Sequence, residues 1–117
     1  MDKDCKSFIQ EQTKSDFEVL KKWTNQIPID QDSFYFEIRK ILIQKIRNYI
    51  LNDMNGLMQI LYRADVVESK IKKALQDFEE GDAAEILASL YLDRMIEKYK
   101  TKQLYKTEEK SEWIFDI

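Results

Sequence analysis

Apolar residues recur along this chain at the three- and four-residue spacing of a helix face, not at the alternate spacing of a strand. The clearest stretch is 34–51. Tyr35, Ile38, Leu42, Ile46 and Tyr49 form one stripe there, with Phe34 and Ile41 beside it, and Glu37, Lys40, Gln44, Arg47 and Asn48 opposite. Phe36, Ile43 and Ile50, seven residues apart in turn, widen the apolar arc to one side. One neighbouring helix cannot cover so broad an arc, so this helix is expected to touch two others or a partner chain. Lys45 falls inside the stripe. A snorkelling stem or a carboxylate partner is the ordinary account of it, and an anion-binding or nucleophilic amine the functional one.

The second strong stretch is 83–103, apolar nearly all round in its first half: Ala83, Ala84, Ile86, Leu87, Ala88, Leu90, Tyr91, Leu92, Met95 and Ile96. A helix of that kind is the buried centre of a bundle, and its alanines allow close approach. Shorter patterns predict helices over about 16–26 (Phe17, Leu20, Trp23), 57–63, and 66–79 (Val67, Ile71, Ala74, Leu75, Phe78). Residues 1–14, polar apart from Phe8 and Ile9, are a loose arm or a short first helix. Three capping-box patterns mark starts: Ser15 to Glu18, Asp65 to Glu68 and Asp82 to Glu85. Pro28 ends the 16–26 helix, residues 30–33 offer N-caps for the next, 52–56 carry turn chemistry, and Gly81 stands where a left-handed C-cap belongs.

Composition supports the same picture. Two glycines and one proline in 117 residues are too few for the frequent turns of a β-domain. A 44% hydrophobic, 35% charged chain is globular with a charged surface. The expected architecture is therefore an all-α single domain over 1–117, an irregular bundle of four to five helices with the 83–103 helix central and the 34–51 helix against it. Its core should include Phe17, Leu20, Trp23, Tyr35, Ile38, Leu42, Ile46, Leu61, Ile71, Leu75, Leu87, Leu90 and Met95, each fully buried large side chain contributing roughly 1.5–3 kcal/mol.

Chemistry is narrowed mostly by exclusion. There is no histidine, so histidine-dependent catalysis and a Glu-x-x-His di-iron site are excluded. One cysteine, Cys5, rules out an internal disulfide and structural zinc, and fits a reducing compartment. No glycine-rich phosphate loop occurs. No cofactor is expected. Glu109/Glu112 and Glu108/Glu112 have the spacing of a Mg²⁺-dependent nucleotide hydrolase, as do Asp65/Glu68 and Asp82/Glu85, but the last two pairs read better as helix caps. No signal peptide is visible, no apolar run is long enough to span a bilayer, and a cytoplasmic location is expected.

Two surfaces remain. Arg94, Lys98, Lys102 and Lys106 fall four apart and form a basic stripe if the helix continues, a candidate anion or nucleic-acid patch despite a net charge of -3. Residues 107–117 form an acidic-aromatic tail. Its Trp113, Ile114, Phe115 and Ile117 either fold back on the core or dock on a partner. With Phe36, Ile43 and Ile50, these are the candidate partner-binding residues. The functional expectation is a non-enzymatic protein–protein interaction or self-associating module. A small nucleic-acid-associated regulator is the alternative, and a Mg²⁺-dependent nucleotide hydrolase the second alternative.

Overall fold

The computed structural model describes residues 2–18, 33–77 and 80–115, with side-chain surroundings for all of these except 77–82 and 105–115. Among the described residues the chain is all-α, with five helices: α1 (Lys3–Phe17), α2 (Phe34–Asn52), α3 (Met54–Arg63), α4 (Glu68–Asp77) and α5 (Glu80–Phe115). The long helix is central, as its all-round apolar first half predicts, and α1, α2 and α4 each pack against it. Ala83, Ala84, Leu87, Ala88, Tyr91, Leu92 and Met95 of α5 are buried. All of these but Ala83 meet Ile38, Leu42 and Ile46 of α2, Leu57 and Leu61 of α3, Ile71 of α4, and Ile9 and Phe17 of α1 in one apolar cluster.

The periodic helix over 34–51 matches α2 to within a residue at its end. Asp53 joins it directly to α3. Its backbone N–H bonds back to the Tyr49 carbonyl at 2.7 Å, closing α2, while its carboxylate accepts from the Gly56 N–H at 2.9 Å, opening α3. A Cβ at Gly56 would lie 2.8 Å from the Asp53 Cγ, so any larger residue there would push the capping carboxylate aside.

The three capping boxes are corrected. Ser15 and Asp16 lie inside the last turn of α1, which ends at Glu18 in the left-handed region (φ 53°). Of the two readings for residues 1–14 the helix is the one present, capped by the Asp2 carboxylate on the Cys5 N–H at 2.7 Å. Asp65 does not open α4; it closes α3. It is left-handed (φ 61°), its N–H bonds to the Tyr62 carbonyl and the Val66 N–H reaches back to the Leu61 carbonyl, a Schellman motif with aspartate where glycine is usual. Val66 and Leu61, the two apolar positions of that motif, are both buried. Gly81 and Asp82 lie within the first turn of α5, not in a cap between two helices. Leu20, Trp23 and Phe78, expected on helix faces, and Pro28, expected at a helix end, lie outside the described residues.

Candidate functional site

Three carboxylates of the acidic pairs have other roles. Glu68 pairs with Lys72 at 3.3 Å and Glu85 with Arg47 at 3.6 Å, while Asp65 belongs to the α3 terminus. Among the described residues no group of three acidic or cysteine side chains is arranged to hold a metal ion. The side chains of Glu108, Glu109 and Glu112 lie outside the described set.

Several polar groups of α5 seat its neighbours. Along α2, the Tyr35 hydroxyl donates to Asp93 at 3.0 Å, and the Arg39 guanidinium donates to the Ser89 hydroxyl at 2.8 Å and the Glu85 carbonyl at 3.2 Å. Along α1, the Tyr91 hydroxyl donates to the Asp16 carboxylate at 2.6 Å, and the Phe17 ring stands edge-on to Tyr91 at 4.9 Å. Burial and the adjacent Asp16 charge push the Tyr91 phenol far above its usual range, so it remains a proton donor. Burial likewise raises Tyr35, Tyr49 and the Cys5 thiol, which is enclosed and not at a frayed end. Lys45 is half-buried with its ammonium 6.0 Å from the centre of the Tyr49 ring, the arrangement of a snorkelling stem.

Three members of the basic stripe come together on the surface. Arg94, Lys98 and Lys102 lie on one face of α5 and, with Thr101, line a shallow depression of about 310 Å³. Arg94 also borders a cleft of about 410 Å³ between α5 and the α3–α4 connection, walled by Asp65, Val66, Val67, Lys70 and Leu90. The two concavities have Arg94 in common. The cations are only partly committed. Arg94 donates to the Asp65 carbonyl at 3.0 Å and to Glu97 at 3.1 Å. Lys98 stands 3.9 Å from the Asp65 carboxylate, a long pair, and exposed Lys102 has its ammonium 5.9 Å from the Phe8 ring centre. Lys106 is on the helical backbone of α5.

The candidate partner residues separate. Phe36 is 65% exposed. Ile43, at 8%, is inside the core, and Ile50 packs against it half-buried. The chain itself covers part of the wide apolar arc: α2 touches α5 and α3, and the Phe17 ring of α1 meets Tyr49. Trp113, Ile114 and Phe115 continue the backbone of α5, so the stretch read as a tail is helix up to Phe115; Ile117 lies outside the described residues. Exposed Leu51, Met54, Tyr62 and Leu104 were not singled out by the sequence. The signal for two of them was present. Met54 and Tyr62 stand four residues either side of Met58, next to the buried line of Leu57 and Leu61, and make the apolar arc of α3 wider than one contact can cover.

No helix among the described residues is long and apolar enough to cross a membrane. In comparisons with protein-family models, with curated proteins and with solved structures, nothing matches this chain.

Proposed function

We propose that this chain is a non-enzymatic, cytoplasmic interaction module that works by protein–protein contact, self-association included. The observation that carries the reading is the length of α5. The helix runs from Glu80 to Phe115, yet among its described side chains, which extend to Leu104, the last apolar one packed on the core is Tyr99. Residues 101–104 are exposed, Leu104 at 64%. A single helix standing in water is marginally stable, and one whose sequence ends in Trp113, Ile114 and Phe115 gains most by docking. Light scattering across a concentration series, with the full chain and a 1–111 truncation side by side, tests it. The expected result is association or partner capture that the truncation loses. A full-length monomer that captures no more than the truncation does would sink the reading.

A second reading, binding to nucleic acid, draws on the alignment of Arg94, Lys98 and Lys102 along one depression. Asp65, Asp93 and Glu97 on the adjoining cleft weigh against it, since each repels phosphate. It predicts a gel shift that weakens with salt and that Lys98→Glu with Lys102→Glu abolishes; no shift at low salt would end it.

A further inference from the structure

Helix α3 turns Leu57, Ile60, Leu61 and Ala64 into the core. Beside that buried face runs a second apolar line, Met54, Met58 and Tyr62, four residues apart in turn. Met58 is half-buried, and Met54 and Tyr62 are exposed. Leu51, in the last turn of α2 just before the Asp53 elbow, is exposed as well. This line stands in a stretch with almost no charge. In a chain that is 35% charged, Asp53 is the one charged residue from Leu51 to Tyr62, and its carboxylate is engaged with the Gly56 N–H. Arg63 is nine residues on from Met54, which puts it on the opposite side of the helix. Asp65, past the end of α3, stands beside Lys98. The exposed polar residues bordering the line are Asn55 and Gln59, both amides.

That chemistry complements itself. A surface that meets its own copy across a two-fold axis must satisfy the same groups on both sides, and a charge near the axis would meet its like. Thioethers and aromatic rings bury against one another without regard to sign. A carboxamide carries a donor and an acceptor together, so one amide can bond another of its kind. Two copies with a net charge of -3 each also repel, and they approach most readily through a face that carries no acid of its own. Charge complementarity, which selects a partner of different sequence, has nothing to act on here. We propose that two copies pair antiparallel through the outer line of α3, about a two-fold axis beside Met58. Met58 of one copy then meets Met58 of the other, and Met54 meets Tyr62 twice, a thioether against a ring each time. Asn55 and Gln59 border the contact and bond across it. A contact one ten-residue helix long, about 15 Å, is at the small end of specific interfaces, so the dimer is reversible, with a dissociation constant on the order of 10–100 µM. This face is separate from the outer half of α5, and the proposal goes beyond the interaction reading above.

Sedimentation velocity on the full chain across a concentration series tests the arrangement. A monomer–dimer equilibrium that salt leaves nearly unchanged is expected, and it should persist in the 1–111 truncation. Met54→Glu and Tyr62→Lys should each raise the dissociation constant by about tenfold, since each alters two symmetric contacts. Both sites are exposed, and an acid in the first turn and a base in the last suit the helix, so each variant should melt like the unaltered chain. The double variant should return to within a few-fold of the unaltered dimer. Within one chain the two positions are eight residues, about 12 Å, apart, so such a rescue comes only from pairing between copies. Independently, Met58→Cys in a Cys5→Ala background should cross-link to itself on oxidation, whereas a control Gln76→Cys on the exposed face of α4 should not. A dimer that ignores both single substitutions overturns the proposal, and so does a double variant no tighter than either single one. If truncation at 111 then removes the dimer, self-association belongs to the end of α5 and the interaction reading stands. A monomer at every concentration also overturns the proposal; the interaction reading then survives only if truncation at 111 removes capture of another protein.

Discussion

Helix α5 is one uninterrupted element in two environments. Up to Tyr99 it is the axis of the bundle: Leu87, Tyr91, Leu92 and Met95 are enclosed, and its polar groups are bonded to Asp16, Tyr35 and Arg39 on neighbouring helices. Beyond Tyr99 the described side chains, 100–104, are exposed. The inner half is helical because three helices bury it. The outer half is helical because the chain is already nucleated and its Lys, Glu and Gln residues are good helix formers, so each added residue gains one bond for one residue fixed. Continuity of backbone therefore says nothing about continuity of stability. The inner half should unfold only with the whole molecule, and the outer half should fray locally unless something covers it.

That contrast can be broken most sharply from the inside. Replacing Leu87 by Ala removes a fully enclosed side chain and should cost about 2–5 kcal/mol in chemical denaturation. A loss under 1 kcal/mol would mean the inner half is not the axis of the bundle.

A smaller effect comes from the seam with α1. Tyr91→Phe keeps the ring against Phe17 and removes the hydroxyl that donates to Asp16, for an expected loss of about 1–2 kcal/mol. It also has a pH signature. The folded pKa of Tyr91 is raised, so its contribution is complete below the unfolded value of about 10 and is lost as pH rises above it. Tyr35 and Tyr49 shift the same way and act in the same window. Melting temperature should hold from neutrality to about pH 9 and fall beyond pH 10, and it should fall less steeply in Tyr91→Phe. An equal slope in the two proteins would show that Tyr91 does not titrate on unfolding.

At the boundary between the halves, Asp65→Gly relieves a left-handed aspartate and should stabilise by about 0.5–1 kcal/mol, despite losing the long pair to Lys98. A net loss would mean that the Asp65 carboxylate matters more to α5 than its backbone strain costs. Smallest of all, Leu104→Ala in the monomer should change stability by less than about 0.5 kcal/mol. Hydrogen exchange should show amides 101–115 poorly protected while those of 84–95 exchange only by global unfolding. Protection of the outer amides that rises with protein concentration would locate the self-association surface.

The same two halves show what could be read in the sequence. Strong periodicity placed α2, and the all-round apolar run placed the centre of the bundle, because burial demands those patterns over many residues at once. The capping boxes misled because Ser-x-x-Glu and Asp-x-x-Glu are also the ordinary spacing of polar residues on a helix surface. Only the backbone decides whether the first residue starts a helix, as it does not at Ser15, or ends one, as at Asp65. The basic stripe was legible from its four-residue spacing. Its ties to Asp65 were not, since they depend on how α3 stops, twenty-nine residues earlier than Arg94. The aromatic end reads as a tail because acidic and apolar residues alternate there, although the residues leading into it are helix formers.

Asp53 has a consequence of a different kind. By ending α2 and starting α3 with a single residue, it leaves no slack between them. The pair behaves as one bent rod with a fixed elbow, and a length change at the elbow has nowhere to be absorbed. An added residue would turn α3 by about 100° about its own axis and present polar positions where Leu57 and Leu61 now enter the core. The connection is short in sequence and is also the place where the chain can least tolerate gaining or losing a residue.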